Sequence, residues 1–257
     1  MLQVISPLKG FTIEATDGRI GTVVDFLFDD ASWKLRWLVV ECGHWLDGRT
    51  VLIHPPAVSF ADLDDQQFSV KLTKVQVSDS PEWLKDQPVS QQMQDQLYDH
   101  YGWDRAWSGP YLSGASGAMA SPPMAPPYLG FGGPAESHSE RAESQGGDPH
   151  LRSVFEVIGY HAHAVDGEIG HIYDLMFDNE DWRLAYFIVD TSNWWLGKRV
   201  LMAANAVTGI DWSVQFVHFD ATREKIKTAP VWDPLVAFNE TYRTHLHKHY
   251  GWLGSSA

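Results

Sequence analysis

The stretch Asp17-Gly18-Arg19-Ile20-Gly21, followed by Asp25, Phe28-Asp29, Trp33 and the apolar run Leu35–Val40, decides the fold because the chain carries it twice. It returns as Asp166-Gly167-Glu168-Ile169-Gly170, Asp174, Phe177-Asp178, Trp182 and Leu184–Val189, always 149 positions later. The same offset carries Trp45 onto Trp194 and Val51-Leu52 onto Val200-Leu201. It also carries His100-Tyr101-Gly102-Trp103 onto His249-Tyr250-Gly251-Trp252. Between residues 11–103 and 160–252, 27 of 93 pairs are identical without a gap, far above chance, so one domain has been duplicated. A unit this long exceeds the ~20–50 residues of a solenoid repeat. Duplication supplies an internal comparison. A side chain present in both copies serves the common fold or a common surface; one present in a single copy does not build the fold.

Within each copy the periodicity reads as β structure followed by a helix. Phe11–Ala15 leads into Asp17-Gly18, a tight-hairpin signal. Ile20–Phe28 alternates, setting Ile20, Thr22, Val24, Phe26 and Phe28 against Gly21, Val23, Asp25 and Leu27. Leu35–Val40 and Leu184–Val189 are apolar throughout, as in strands covered on both faces. Further strands are expected at Arg49–Ile53 and Phe68–Leu72, and at Arg199–Met202 and Val217–Ala221. About six short strands with frequent turns fit a small barrel or sandwich. Then the period changes. Pro88–Tyr101 and Pro234–Tyr250 read as helices, the second opened by Asp233-Pro234 and both closed by a glycine, Gly102 or Gly251. Met93, Leu97 and Tyr101, and Leu235, Phe238, Tyr242, Leu246 and Tyr250, give each helix one face to bury. Between the copies, Trp107 to His150 is rich in Gly, Pro and Ser and reads as an extended linker. The expected organisation is a domain with a C-terminal helix at residues 1–105, a flexible linker at 106–150, and a second such domain at 151–257.

Composition narrows the function. The net charge is −14 and both halves are acidic, which disfavours nucleic-acid backbones. The lone Cys42, opposite Thr191, fits a reducing compartment and forms no intrachain disulfide. No run approaches ~18 apolar residues and no signal-peptide core opens the chain, so a cytoplasmic protein without a transmembrane segment is expected.

The pattern of Asp-Gly-x-Ile-Gly, an acid-bearing strand, a Trp and a doubly covered strand resembles the PRC-barrel family. That family includes the cytoplasmic domain of the photosynthetic reaction-centre H subunit and the C-terminal domain of the small-subunit ribosome maturation factor. Asp17, Gly18, Ile20, Gly21, Asp25 and Trp33 carry the resemblance in copy one. Asp166, Gly167, Ile169, Gly170, Asp174 and Trp182 carry it in copy two. It covers residues 5–83 and 154–232. It implies a mainly β fold of two tandem, strongly bent antiparallel barrels used for contacts with macromolecules rather than for catalysis. Neither the membrane helix of the H subunit nor the RNA-facing domain of the ribosome factor is matched, so neither role is carried over. Tandem members with a helix after each barrel look like stand-alone bacterial proteins.

Individual residues sharpen this expectation. Asp17/Asp166 and Gly18/Gly167 read as turn chemistry, and Gly21/Gly170 as a bulge or close backbone approach. Asp25 and Asp29 stand ~13 Å apart along a strand, too far to share a cation, so they and Asp174/Asp178 read as turn and bulge acceptors. His161 and His163 point to one face of a strand. His245 and His249, at i and i+4 on a helix, are the candidates whose spacing would allow metal chelation. Of the copy-two histidines, only His249 has a histidine counterpart, His100. No metal, cofactor or catalytic residue is therefore assigned. No Ser-His-Asp set, nucleotide loop or Cys pair occurs, and no enzyme is expected. Trp45, Trp194 and Trp195 in loops, with Tyr101, Trp103, Tyr250 and Trp252 at the helix ends, are the interface candidates. The expected function is a non-catalytic protein-interaction, scaffold or adaptor role. The copies are expected to pair about a pseudo-two-fold axis with their helices near the interface. An RNA-associated ribosome-assembly role by family analogy, and a metal or small-ligand sensor using the copy-two histidines, are the alternatives.

Overall fold

The computed structural model describes residues 1–83, 89–103, 148, 150–191, 197–234 and 238–252. The chain is mainly β and the two copies repeat strand for strand. Copy one contains β1 (Leu2–Val4), β2 (Thr12–Ala15), β3 (Gly18–Asp29), β4 (Leu35–Cys42), β5 (Thr50–Ile53), β6 (Val58–Asp62) and β7 (Gln67–Val70). The short helix α1 (Lys74–Ser78) and the longer α2 (Gln91–Tyr101) follow. Copy two contains β8 (Leu151–Ser153), one helical turn α3 (Val154–Val157), β9 (His161–Ala164), β10 (Gly167–Asp178) and β11 (Arg183–Asp190). It continues with β12 (Arg199–Ala203), β13 (Val207–Asp211), β14 (Phe216–Phe219), α4 (Arg223–Thr228) and α5 (Glu240–Tyr250). The sheet paths are β5-β4-β3-β2-β7-β6 and β12-β11-β10-β9-β14-β13, and in neither do the two end strands pair with each other. Most of the expected linker lies outside the described residues.

The long strand bends through bulges. Register shifts between Val23 and Asp25 and between Leu27 and Phe28 break the alternation expected for Ile20–Phe28. The inner residues are Ile20, Val23, Phe26 and Phe28, while Val24 and Leu27 turn to the opposite face, toward α2. Gly21 is required by a close approach: a Cβ there would lie 2.1 Å from the carbonyl oxygen of Glu41. At Gly170 the corresponding distance is 2.0 Å, to the carbonyl of Asp190. The expected close approach is therefore present in both copies.

Both terminal helices begin later than expected. Ser90 Oγ accepts from Met93 N–H, so α2 starts at Gln91 rather than Pro88. Asn239 Oδ1 accepts from Tyr242 N–H, so α5 starts at Glu240 rather than Pro234. In each case a side-chain oxygen satisfies one of the first-turn amides that a helix start leaves unpaired. Gly102 and Gly251 end the helices at φ +67° and +81°, as read from the sequence.

The N-terminal strand of each copy joins the other copy's sheet. β1 pairs with β10, Leu2 opposite Asp178, and β8 pairs with β3, Leu151 opposite Asp29. Two further bonds cross between the turns: Leu35 N–H donates to Trp182 O at 2.8 Å, and Leu184 N–H to Trp33 O at 2.7 Å. Trp33 and Trp182 both adopt left-handed φ, +61° and +56°. A bulky residue resists that conformation unless its surroundings fix it. Here each indole is held across the seam, Trp33 at 5.6 Å from Phe187 and Trp182 at 6.4 Å from Phe68. The two cores are in consequence one continuous apolar cluster. Ile5, Leu8, Val154 and Val157 on the exchanged segments are buried in it, each worth about 1.5–3 kcal/mol of transfer.

Candidate functional site

The repeated acids converge on the seam. Asp25 sits at the bulge of β3 and accepts from Phe26 N–H at 2.7 Å, which is the expected bulge role. Its carboxylate also accepts from the other copy, from Ser153 Oγ–H at 2.6 Å and Phe155 N–H at 3.4 Å. Asp174 repeats the arrangement, accepting from Leu175 N–H at 2.7 Å and from Ser6 N–H of copy one at 3.2 Å. Each acid thus holds the segment that arrives from the other copy. Burial raises both carboxyls above the ordinary Asp value, against the pull of these donors. Beside Asp25 the seam encloses a cleft of about 500 Å³, walled by Val24, Trp83 and Phe155 with Lys9, Arg152 and Glu156 at its polar side. In copy two Tyr173 replaces Val24 and its ring packs 3.5 Å from the Arg199 guanidinium.

The seam's outer turns follow the same plan with different groups. His150 Nδ1 lies 2.8 Å from Asp30 Oδ1, and Asp30 N–H donates to His150 O. At the equivalent place the terminal ammonium of Met1 donates to Asp178 and Asn179, each at 2.8 Å. Copy one adds a buried polar chain. Arg36 lies 3.5 Å from Asp29 and donates to Gln94 Oε1 at 2.7 Å, and Gln94 donates to Asp148 at 2.8 Å. Asp29 is also the turn acceptor expected of it, taking Ala31 and Ser32 amides.

Asp17 and Asp166 do not bond within their own turn. Asp17 Oδ1 accepts from Lys74 N–H at 2.8 Å and Asp166 Oδ1 from Arg223 N–H at 2.7 Å, so each ties the hairpin to the first residue of a short helix. A helix start offers unpaired amides, and these outcompete the turn for the carboxylate. Gly18 and Gly167 supply the positive φ expected of them, +122° and +139°.

The helix-end aromatics pack on their own copy rather than on the inter-copy contact proposed for them. Tyr101 and Trp103 stack at 4.1 Å, and Tyr250 and Trp252 at 4.3 Å. Trp103 lies against Trp37 and His54. His100 and His249 explain the repeat: each places Nε2 on a short-helix carbonyl, Gln76 O at 2.8 Å and Lys225 O at 2.7 Å. The carbonyls hold the last turn down on its own domain. The aromatic helix ends are thereby kept on their own domains, while the body of α2 meets the seam through Gln94 on Asp148 and through the cluster it shares with Leu151. Beneath α2, Tyr98 O–H and His54 Nε2 pair at 3.2 Å; beneath α5, Tyr186 O–H and His247 Nε2 pair at 2.7 Å, the helix supplying the tyrosine in one copy and the histidine in the other. Burial, then the Arg36 charge, drives His54 down to about 3, so it is neutral in the folded protein.

Trp45 is 38% exposed, its indole N–H bonded to Ile20 O and its ring 5.7 Å from Lys74 Nζ. It borders an open cleft of about 370 Å³ with Arg19, Glu41 and His44. Trp45 therefore lies on copy one's hairpin face and away from the seam. Trp194 and Trp195 lie outside the described residues. Of the candidate pair His245 and His249, His249 has its Nε2 on Lys225 O. No group of three or more metal-ligating side chains occurs among the described residues. Among them, no helix is long and apolar enough to cross a membrane.

Sequence reasoning missed the exchanged strands. The signal was present upstream of the compared window: Leu2, Ile5 and Leu8 align with Leu151, Val154 and Val157 at the same offset.

Comparison with known proteins bears on residues 5–77. Residues 5–77 match the family model of the PRC-barrel domain. Copy one thus carries a PRC-barrel domain. Its boundaries enclose Asp17, Gly21, Asp25 and Trp33, the residues at the hairpin and the seam. An uncharacterized protein of Deinococcus radiodurans is 35% identical over 91 residues, which cover 35% of this chain and 32% of that protein. The chain thus spans about a third of the length of the curated relative it matches.

Proposed function

We propose that the chain is a non-catalytic scaffold or adaptor built of two PRC-type units, the second being residues 151–257, with each sheet curling as a barrel. The observation that carries this is the reciprocal exchange at the seam. The most chemically distinctive residues common to both copies, Asp25/Asp174 and Trp33/Trp182, are spent on holding the other copy. A group committed to a buried structural bond is not available to a substrate. The unit's long strand acts as a receiver for a foreign strand and the turn after it, and the chain uses this ability on itself. What results is a fused pair with two outward hairpin faces. Trp45, part-exposed over a cleft, offers an aromatic anchor for a protein partner on one of them. Interaction of this kind needs no cofactor.

The test is affinity capture from the native cell with the wild-type chain and Trp45→Ala in parallel. A protein retained by the wild type and lost with Trp45→Ala, at unchanged melting temperature, supports the proposal. Identical captures from both would remove Trp45 from the interface, and recovery of RNA–protein particles would favour the ribosome-assembly alternative.

A further inference from the structure

Histidines found only in the second copy gather on one face of its sheet. Parallel pairing of β9 and β14 sets Phe216 beside His161 and His218 beside His163. The rings form a continuous array: His161 on Phe216 with centroids 5.0 Å apart, and His163 on His218 at 5.5 Å. All four side chains are exposed or half-buried. Copy one has Thr12, Glu14, Gln67 and Ser69 at these positions, so the fold does not require the array.

The local chemistry of His163 is directed. Its Nδ1 lies 3.0 Å from the carbonyl oxygen of Ala164. A carbonyl only accepts, so Nδ1 carries the proton and Nε2 keeps its lone pair. This is the arrangement that prepares a histidine as a metal ligand. Two imidazoles bound at about 2.0–2.1 Å hold their ring centroids roughly 4.5–5.5 Å apart, and the His163–His218 pair stands at that spacing. His161 Nδ1 is turned instead to Glu168 Oε1 at 2.9 Å, which places a carboxylate beside the array.

We propose that His163 and His218 form a two-imidazole site for a divalent transition-metal ion on the outer face of the second sheet. With two protein ligands and solvent completing the shell, the order of affinity follows the ligand chemistry, Cu²⁺ ahead of Ni²⁺ and Zn²⁺. The helix histidines, of which His249 and His247 place Nε2 on Lys225 O and Tyr186, are the comparison set for the sheet pair.

The experiment titrates tag-free, full-length chain with Cu²⁺ near neutral pH in a non-coordinating buffer, by calorimetry and by electron paramagnetic resonance. One equivalent with two nitrogen ligands is expected. His163→Gln and His218→Ser each weaken binding by about tenfold or more, while the double variant His245→Gln/His249→Gln binds as the wild type does. His218→Ser installs the residue that copy one tolerates at Ser69, so its metal-free melting temperature is the folding control. If it melts early, His163→Gln and the two-nitrogen signal carry the test. No Cu²⁺ binding by the intact chain, or binding unchanged by both sheet variants, overturns the site.

Discussion

Gly21 shows how one residue limits the whole sheet. Its missing side chain lets β3 and β4 cross so closely that a methyl group would overlap the Glu41 carbonyl. Gly18, by contrast, meets only the flexible end of Lys74. Gly21→Ala is therefore expected to cost at least ~2 kcal/mol, and Gly18→Ala nearer ~1 kcal/mol from its positive φ alone. Denaturant midpoints of the two variants check the order. His54 makes a second prediction at this scale. Its folded value of about 3 lies below the ~6.5 of an unfolded histidine, so between these pH values the unfolded chain binds the extra proton. Stability is full above about pH 6.5 and falls as pH drops, by up to ~1.4 kcal/mol per pH unit. Asp25 and Asp174 work with the opposite sign: raised carboxyls take up a proton in the folded state first, adding stability as pH falls through their folded values. Thermal melts from pH 7 to 4.5 should show a smaller loss in His54→Asn than in the wild type.

At the scale of elements, the exchanged strands are short and depend on the acid beside them. β8 makes three residue pairs with β3, and Asp25 adds two contacts just beyond them. Asp25→Leu removes the acceptor for one hydroxyl and two amides, those of Ser153, Phe155 and Phe26, at roughly 1–3 kcal/mol for each donor left buried. Amide hydrogen exchange at Leu151–Phe155 is expected to quicken sharply in Asp25→Leu and only slightly in Asp25→Asn, while β9–β11 stays protected. Equal exchange in both variants would mean that β8 is held by its strand bonds alone. Much of this scale was legible in the sequence. Hairpins, the doubly covered β4 and β11 and the terminal helices follow from local patterns that the final packing does not overrule. The phase of β3 was not, because bulges at Asp25 and Phe28 shift it and a bulge has no reliable pattern of its own. Nor was the role of Asp17, since the amide it takes lies 57 residues away on α1.

The whole molecule is a pseudo-symmetric pair, and its pairing mode was the least legible feature. Aromatic helix ends look like interface residues because both exposed interfaces and buried helix docks use Tyr and Trp. Only the positions of Gln76 and Lys225 show that His-Tyr-Gly-Trp closes a helix onto its own domain. The true seam uses three-residue strands that carry little periodicity, together with Trp33 and Trp182, whose left-handed backbone no propensity foretells. Because each copy lends its N-terminal strand, neither is complete without the other. The strand exchange buries apolar side chains at Ile5, Leu8, Val154 and Val157 that a separated copy would expose to water.

The direct test is to place a specific protease site between residues 104 and 147, cleave the folded chain to completion, and measure the mass of the product in solution at micromolar concentration. Reciprocal exchange predicts one particle containing both fragments, with the melting temperature close to that of the uncut chain. Two separate, folded fragments would contradict it and leave the copies as independent domains joined only by the chain.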